Sequence, residues 1–297
     1  MKSETRESIA GYLFVAPWLI GFLIFTLGPL IASMIFSTWE WDLLTTPKFV
    51  GYDNYVKLWN DELFWQSLKV TAIYSFARIP LVLALGLTLA ALLNQKIRAL
   101  GFFRTMFYVP TVLPGVAVSL LWIWILNGDY GIMNWMLKIF FGIQGPNWLQ
   151  SEFWVLPALI LMSLWAIGQN MLVYLAGLQG IPTELYESAV IDGANFWQRF
   201  IHITIPMISP VIFYNLIITL INSFETFTQG YVMTGGGPMN ASLFYILYLF
   251  NNAFRYFQMG YASALAWIFF VILMFFTVLI FRSSKTWVHY EGTLKGK

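Results

Sequence analysis

The chain has 297 residues, 59% of them hydrophobic and only 10% charged, with 19% aromatics and a mean hydropathy of +0.70. A soluble domain, with about a quarter of its residues charged, could not hide this much apolar surface, so the composition specifies a polytopic membrane protein. A net charge of +2 from scattered basic residues offers no stripe for nucleic acid, and the lack of cysteine excludes disulfides, thiolate metal sites and a cysteine nucleophile.

A bilayer core of about 30 Å requires roughly 20 apolar residues in a helix. Six stretches qualify, near residues 9–36, 66–93, 105–126, 153–178, 206–230 and 260–282, and no boundary divides them, so 1–297 reads as one transmembrane domain. The first stretch is longer than a signal-peptide core and no small-x-small cleavage site follows it, so it is expected to remain as an anchor. The second carries Arg78 in YSFARIP, with Pro80 placed to bend the helix. The segments 37–65, 127–152 and 231–259 hold acids, aromatics and turn sequences such as NGDYG, QGPNW and GGGPMN, as expected of folded loops at one water interface.

The fourth and fifth spans hold most of the polar residues. Trp165, Gln169, Asn170 and Tyr174 lie in the fourth. In the fifth, Asn215, Thr219, Asn222 and Thr226 follow i, i+4, i+7, i+11 on one predicted face, with Ser223, Glu225 and Gln229 beside it. Asn251, Asn252 and Tyr256 precede the sixth. Amides, carboxylates and aromatic rings are the groups that bind sugars, so these positions are candidates for a substrate path; equally, they can bond helix to helix. Arg78 and Glu225, the ionisable groups well inside spans, either pair across the bundle or line a water-filled path.

Basic residues set orientation, because Lys and Arg near span ends resist translocation. Ten of the 16 (Lys2, Arg6, Lys96, Arg98, Arg104, Arg199, Arg282, Lys285, Lys295 and Lys297) fall on the tails, the 94–104 link and the 179–205 loop, which are therefore expected to be cytoplasmic. In that loop, ELYESAVIDGANFWQRFIHITIP spans residues 184–206. Thr183 is the expected N-cap of a short helix that Gly193 ends, and Asn195 with Gln198 reads as a capping box for a second. Small residues Ser188, Ala189, Gly193 and Ala194 allow close approach, while Tyr186, Phe196 and Trp197 offer apolar bulk for docking into a partner's groove; Asp192 is placed to brace the loop.

The segment resembles the EAA loop of permease subunits of ABC importers, whose pattern is E-A-A, three residues, G, nine residues, I-x-L-P. Glu187-Ser188-Ala189, Gly193 and Ile203-Thr204-Ile205-Pro206 match it, with Ser188 and Ile205 as the two departures. IDGANFWQRFIHITIP, LAGLQGIPTELYE, MTGGGP, GYASALAW and the N-terminal GYLFVAPWLIGFLIFTLGPLIASM extend the likeness to the carbohydrate-uptake branch over nearly the whole chain. The resemblance implies an all-α protein of six transmembrane helices in the type I importer architecture, in the prokaryotic inner membrane. It also implies a coupling-helix pair, formed by Glu187, Ser188, Ala189, Asp192, Gly193, Ala194, Phe196 and Pro206, that docks on a cytoplasmic ATPase. The implied partners are two ATPase subunits that bind ATP and Mg, a second and distinct permease, an extracytoplasmic solute-binding protein and a carbohydrate.

The chain contains no G-x-x-x-x-G-K-[ST] stretch, G-x-S-x-G or H-E-x-x-H, so no cofactor, catalytic residue or metal site is expected within it. An ion-coupled transporter would call for broken helices or ionisable groups at matched positions of two halves, and a membrane enzyme for a nucleophile or base; neither pattern is legible.

Overall fold

The computed structural model describes residues 3–95 and 98–289; Lys2, Lys96, Lys295 and Lys297 lie outside them. The chain opens with α1 (Ser3–Phe22), passes through a wide π turn at Leu23–Leu27 and continues as α2 (Gly28–Phe36). A two-stranded antiparallel ribbon, β1 (Trp39–Glu40) with β2 (Lys48–Phe49), pairs Trp39 with Phe49 and leads to α3 (Asp53–Trp59). Then come α4 (Glu62–Leu93), α5 (Leu100–Val112), α6 (Gly115–Ile125), α7 (Ile132–Phe141), α8 (Val155–Leu164) and α9 (Gly168–Gln179). The short α10 (Thr183–Ile191), α11 (Phe196–Arg199) and α12 (Ile205–Met207) precede α13 (Ser209–Phe224), α14 (Tyr245–Phe250) and α15 (Met259–Trp287).

Among the described residues, three helices are long and apolar enough to cross a membrane alone: Ala10–Phe36, Glu62–Leu93 and Met259–Trp287. The other three expected spans are broken, so the total reaches six only if each bent pair is one span. Leu100–Val112 and Gly115–Ile125 meet at 101°, Val155–Leu164 and Gly168–Gln179 at 45°, and Phe196–Met207 and Ser209–Phe224 at 66°. The breaks have local causes. Leu113 is extended (φ −72, ψ 140) because it precedes Pro114. Pro206 and Pro210 both remove helix N–H donors around Ile208, and Ser209 Oγ caps the gap by donating to Pro206 O at 2.6 Å. Pro80, by contrast, is carried inside α4 without ending it.

Cα packing divides the chain into two units, residues 1–62 with 249–271 and residues 63–248 with 272–297. In the first, buried Asn54 ties α3 to the ribbon by donating Nδ2 to Ser37 O and Trp39 O, both at 2.9 Å. Tyr55 OH reaches Ser37 Oγ at 2.8 Å, and Gly260 lies against the Trp39 carbonyl where no side chain would fit. Asp42 accepts the amides of Leu44 and Thr45, which hold its carboxyl below the usual range and keep the turn anionic.

The core of the second unit gathers around α9. Ala90 and Leu93 of α4, Met171, Tyr174, Leu175 and Leu178 of α9, and Ile181 and Ile208 form one buried cluster. Close approach depends on glycines. A Cβ on Gly168 would strike the Phe107 carbonyl of α5, one on Gly177 would meet Val211 of α13 at 2.8 Å, and one on Gly86 of α4 would meet Asn170 Cβ at 3.2 Å. Thr71 of α4 accepts the Tyr245 amide at 2.8 Å, satisfying an N–H at the start of α14.

This packing predicts a contrast between glycines. Gly168→Leu should destabilise the purified chain by about 1–3 kcal/mol, through overpacking against backbone that cannot yield. Gly101→Ala, where nothing lies within 4 Å, should be neutral or slightly stabilising. Thermal melts in detergent, followed by size exclusion, measure both; equal midpoints would contradict the glycine-packed core.

Candidate functional site

The loop between α9 and α13 is more rigid than its polarity suggests. Buried Ile181 leaves α9, and Pro182 (φ −58, ψ 131) turns the chain into α10. Pro182, not Thr183, holds the N-cap place, with no side-chain cap; Thr183 is the first helical residue, and Glu184 in the first turn faces the positive helix end. At the far end Gly193 adopts φ +78, with its N–H on Val190 O at 3.0 Å and the Ala194 N–H on Ala189 O at 2.8 Å. That is a Schellman closure, and it needs a residue that tolerates positive φ. Asn195 then caps the next helix as expected: its Oδ1 accepts the Gln198 amide at 2.9 Å, and Gln198 Oε1 accepts the Asn195 amide at 2.8 Å. From Phe196 a helical stretch runs to Met207 through a π turn at Phe200–Thr204, so α11 is continuous with the approach to the fifth span.

Tyr186 does not face outward as expected. It is half-buried on the core cluster, its hydroxyl 2.9 Å from Thr204 Oγ1, and so fastens α10 to the π turn. Asp192 is exposed at the C-cap, and its carboxylate makes no hydrogen bond within the loop among the described residues, so it is not an internal brace. Ser188 Oγ is spent on Glu184 O at 2.9 Å, and His202 Nδ1 lies 3.0 Å from Gln198 O. What the loop presents is Glu187 beside an apolar face: Val190, Ile191 (85% exposed), Phe196, Trp197 (66%) and Ile201. Phe196 stacks on Phe200 and Trp197 packs edge-on against both, which holds that face in shape. Ala189 and Ala194 are half-buried, as is Pro206. An exposed apolar surface on a stiff, capped loop is the form of a protein-docking site.

Several residues of the predicted substrate path bond within the chain. Asn170 Nδ2 donates to Asn215 Oδ1 at 2.9 Å and Thr219 Oγ1 at 3.0 Å, and Asn215 Nδ2 donates to Val211 O at 3.1 Å. These buried groups join α9 to α13. Tyr174 is 1% exposed in the core, and Trp165, in the break between α8 and α9, packs edge-on against Trp122. The one-face pattern of the fifth span fails at its end: α13 stops at Phe224, so Thr226 is off the helix and bonds back to Ser223 O, and Gln229 precedes a separate π turn. Asn222, Glu225 and Gln169 are exposed. Arg78 and Glu225 are not paired; Arg78 Nη1 donates to Ser223 Oγ at 2.5 Å. Asn251 and Asn252 are buried, whereas Tyr256 is exposed.

Sequence reasoning did not single out a cavity of about 920 Å³ within the first unit, lined by Glu40, Asp42, Asp53, Lys57, Tyr256 and Gln258 among others. Lys57 Nζ donates to Gln258 Oε1 at 2.8 Å and lies 4.7 Å above the Tyr261 ring. The aromatic and acidic content of residues 37–65 was the available signal, but the contribution of residues 256–261 is set by folding. No group of three His, Cys, Asp or Glu among the described residues is placed to hold a metal.

A helical membrane protein with broken spans, polar groups locked between helices and one stiff docking loop has the build of a transporter's membrane subunit. The chain belongs to the family described as binding-protein-dependent transport system inner membrane component, whose model matches residues 82–288. It is therefore an ABC importer permease, the non-enzymatic membrane subunit. It is 45% identical to the probable ABC transporter permease protein YesP of Bacillus subtilis (strain 168), over 98% of this chain and 95% of that one. It is 36% identical to the lactose transport system permease protein LacF of Rhizobium radiobacter, over 96% and 99%. Among solved structures, a bacterial alginate ABC transporter in complex with alginate pentasaccharide-bound periplasmic protein aligns with TM-score 0.82 and 25% identity, covering 95% of this chain and 96% of that chain.

The bonding of Asn170 separates a structural from a substrate role. Asn170→Leu would strand the buried Asn215 and Thr219 groups, at a cost of about 1–3 kcal/mol. A thermal midpoint lowered by several degrees is expected in the purified chain; an unchanged midpoint with only a raised KM for uptake would place Asn170 on the path instead.

Proposed function

We propose that this chain carries a carbohydrate, an oligosaccharide in the simplest reading, across the cytoplasmic membrane as one half of an importer's membrane core. Lactose in the name of one relative and the alginate pentasaccharide of the matched structure support the substrate class. The assembly is this permease, a distinct second permease, two ATPase subunits that hold ATP and Mg, and an extracytoplasmic solute-binding protein. All 297 residues act as one transmembrane domain, with both termini and the 179–205 loop on the cytoplasmic side, where most basic residues fall.

The observation that carries the reading is the loop's geometry. Its apolar face, with Ile191, Phe196 and Trp197 exposed, is joined to α13 by a helical stretch that runs from Phe196 to Met207 and bends by 66° at Ile208. Docked in a cleft of the ATPase, it is the joint through which closure of the motor rocks the bundle. Glu187 supplies a charge-assisted contact to the ATPase, Ser188, Ala189 and Ala194 permit close approach, and Gly193 keeps the turn between the helices sharp. Pro206 starts the span side of the joint. ATP binding then opens the bundle outward to a loaded binding protein, and hydrolysis resets it.

Co-purification tests the joint. An affinity-tagged chain co-expressed with its ATPase should retain that subunit, whereas Glu187→Lys and Ile191→Asp should reduce recovery roughly tenfold or more without lowering the chain's own melting midpoint. Uptake that persists in these variants with no ATPase bound would overturn the proposal.

A further inference from the structure

Arg78 sits near the middle of α4, a helix long and apolar enough to span the bilayer, and its charge has no counter-ion among the described residues. Its Nη1 bonds Ser223 Oγ, a neutral acceptor whose own proton goes to Thr219 O at 2.6 Å. Its Nε is buried without a partner, and one turn earlier the fully buried Ser75 Oγ is also unbonded. No carboxylate among the described residues pairs with it. Glu225, two residues beyond Ser223, is exposed past the end of α13. A guanidinium cannot relieve the cost by deprotonating, so an uncompensated one at this depth requires an anion from elsewhere.

The surroundings say where that anion comes from. Arg78 is only half-buried, and Asn222 and Glu225, which flank its partner Ser223 in sequence, are exposed; hydrocarbon would solvate none of the three. This surface therefore borders water or another protein. The neutral amides of α9 and α13 have their donors engaged, Asn170 on Asn215 and Thr219 and Asn215 on the Val211 carbonyl, while the guanidinium keeps donors free in a planar fork that matches the two oxygens of a carboxylate.

We infer that Arg78 takes as its counter-ion an acidic substituent of the transported carbohydrate, the carboxylate of a uronic-acid unit; this rests on the importer reading above. Glu225 accepts hydrogen bonds from the hydroxyls of the same saccharide and disfavours a second acid group close by.

The test is uptake by the complete importer, reconstituted with its binding protein in proteoliposomes and offered labelled digalacturonate or the neutral galactobiose. ATP-driven uptake should favour digalacturonate. Arg78→Gln should lower its kcat/KM roughly ten- to a hundredfold, with little effect on galactobiose or on co-purification of the partner subunits, and Arg78→Lys should retain part of the rate. Glu225→Gln should preserve the preference for the acid. The inference is overturned if the wild type carries both saccharides equally, or if Arg78→Gln and Glu225→Gln depress both alike, which would mark an internal ion pair. It is equally overturned if Arg78→Gln sheds the second permease, which would mark a counter-ion supplied by that subunit. If the wild type shows no ATP-driven uptake of any saccharide, the importer reading itself falls; intact uptake without acid preference removes only the role of Arg78.

Discussion

The close seating of α9 against its neighbours is the constraint on which the second unit depends. Helices in a bilayer gain little hydrophobic free energy from meeting one another, so association rests on van der Waals contact and interhelical hydrogen bonds. Here both act on the same short helix. Gly168 and Gly177 let α5 and α13 approach, Gly86 lets α4 approach, and Asn170 spans the gap to Asn215 and Thr219. Each amide is satisfied only in that one register, so the arrangement selects a single packing as well as stabilising it.

That seating also places the loop. Ile181 at the end of α9 and Tyr186 on α10 both pack on the cluster built by α9, and Tyr186 reaches Thr204 on the far side of the loop. The two short helices are thus held at both ends, with the Schellman closure and the capping box satisfying backbone groups that would otherwise loosen them. With its polar backbone satisfied internally, the loop can leave an aliphatic and aromatic face free for another protein. Transmission of movement asks for this combination of stiff link and unspent surface.

Polar residues in the spans divide by what they touch. Asn170, Asn215 and Thr219 bond helix to helix, and Tyr174 fills the core. Arg78 differs because its partner, Ser223, is neutral and cannot balance its charge. Bonding within the chain thus leaves Gln169, Asn222 and Glu225 exposed and Arg78 without a counter-ion among the described residues.

Much of this was legible in the residues themselves. The long continuous apolar stretches determined a helical membrane protein, because a helix needs roughly 20 apolar residues to cross a bilayer whereas a barrel strand needs only about ten, alternating with polar ones. The order of Glu187, Gly193, Asn195, Gln198 and Pro206 determined the loop and its caps, which depend on local backbone chemistry. The spans were readable as apolar length, but not their breaks. Leu113-Pro114 could have signalled the 101° bend, whereas apolar length cannot tell a straight helix from two at an angle. Tertiary structure alone decided which way Tyr186 faces, that Asn170 meets Asn215 and Thr219, and that Arg78 meets a serine in place of Glu225. Those outcomes turn on which helix surfaces come together, and periodicity along one helix carries no information about the surface opposite.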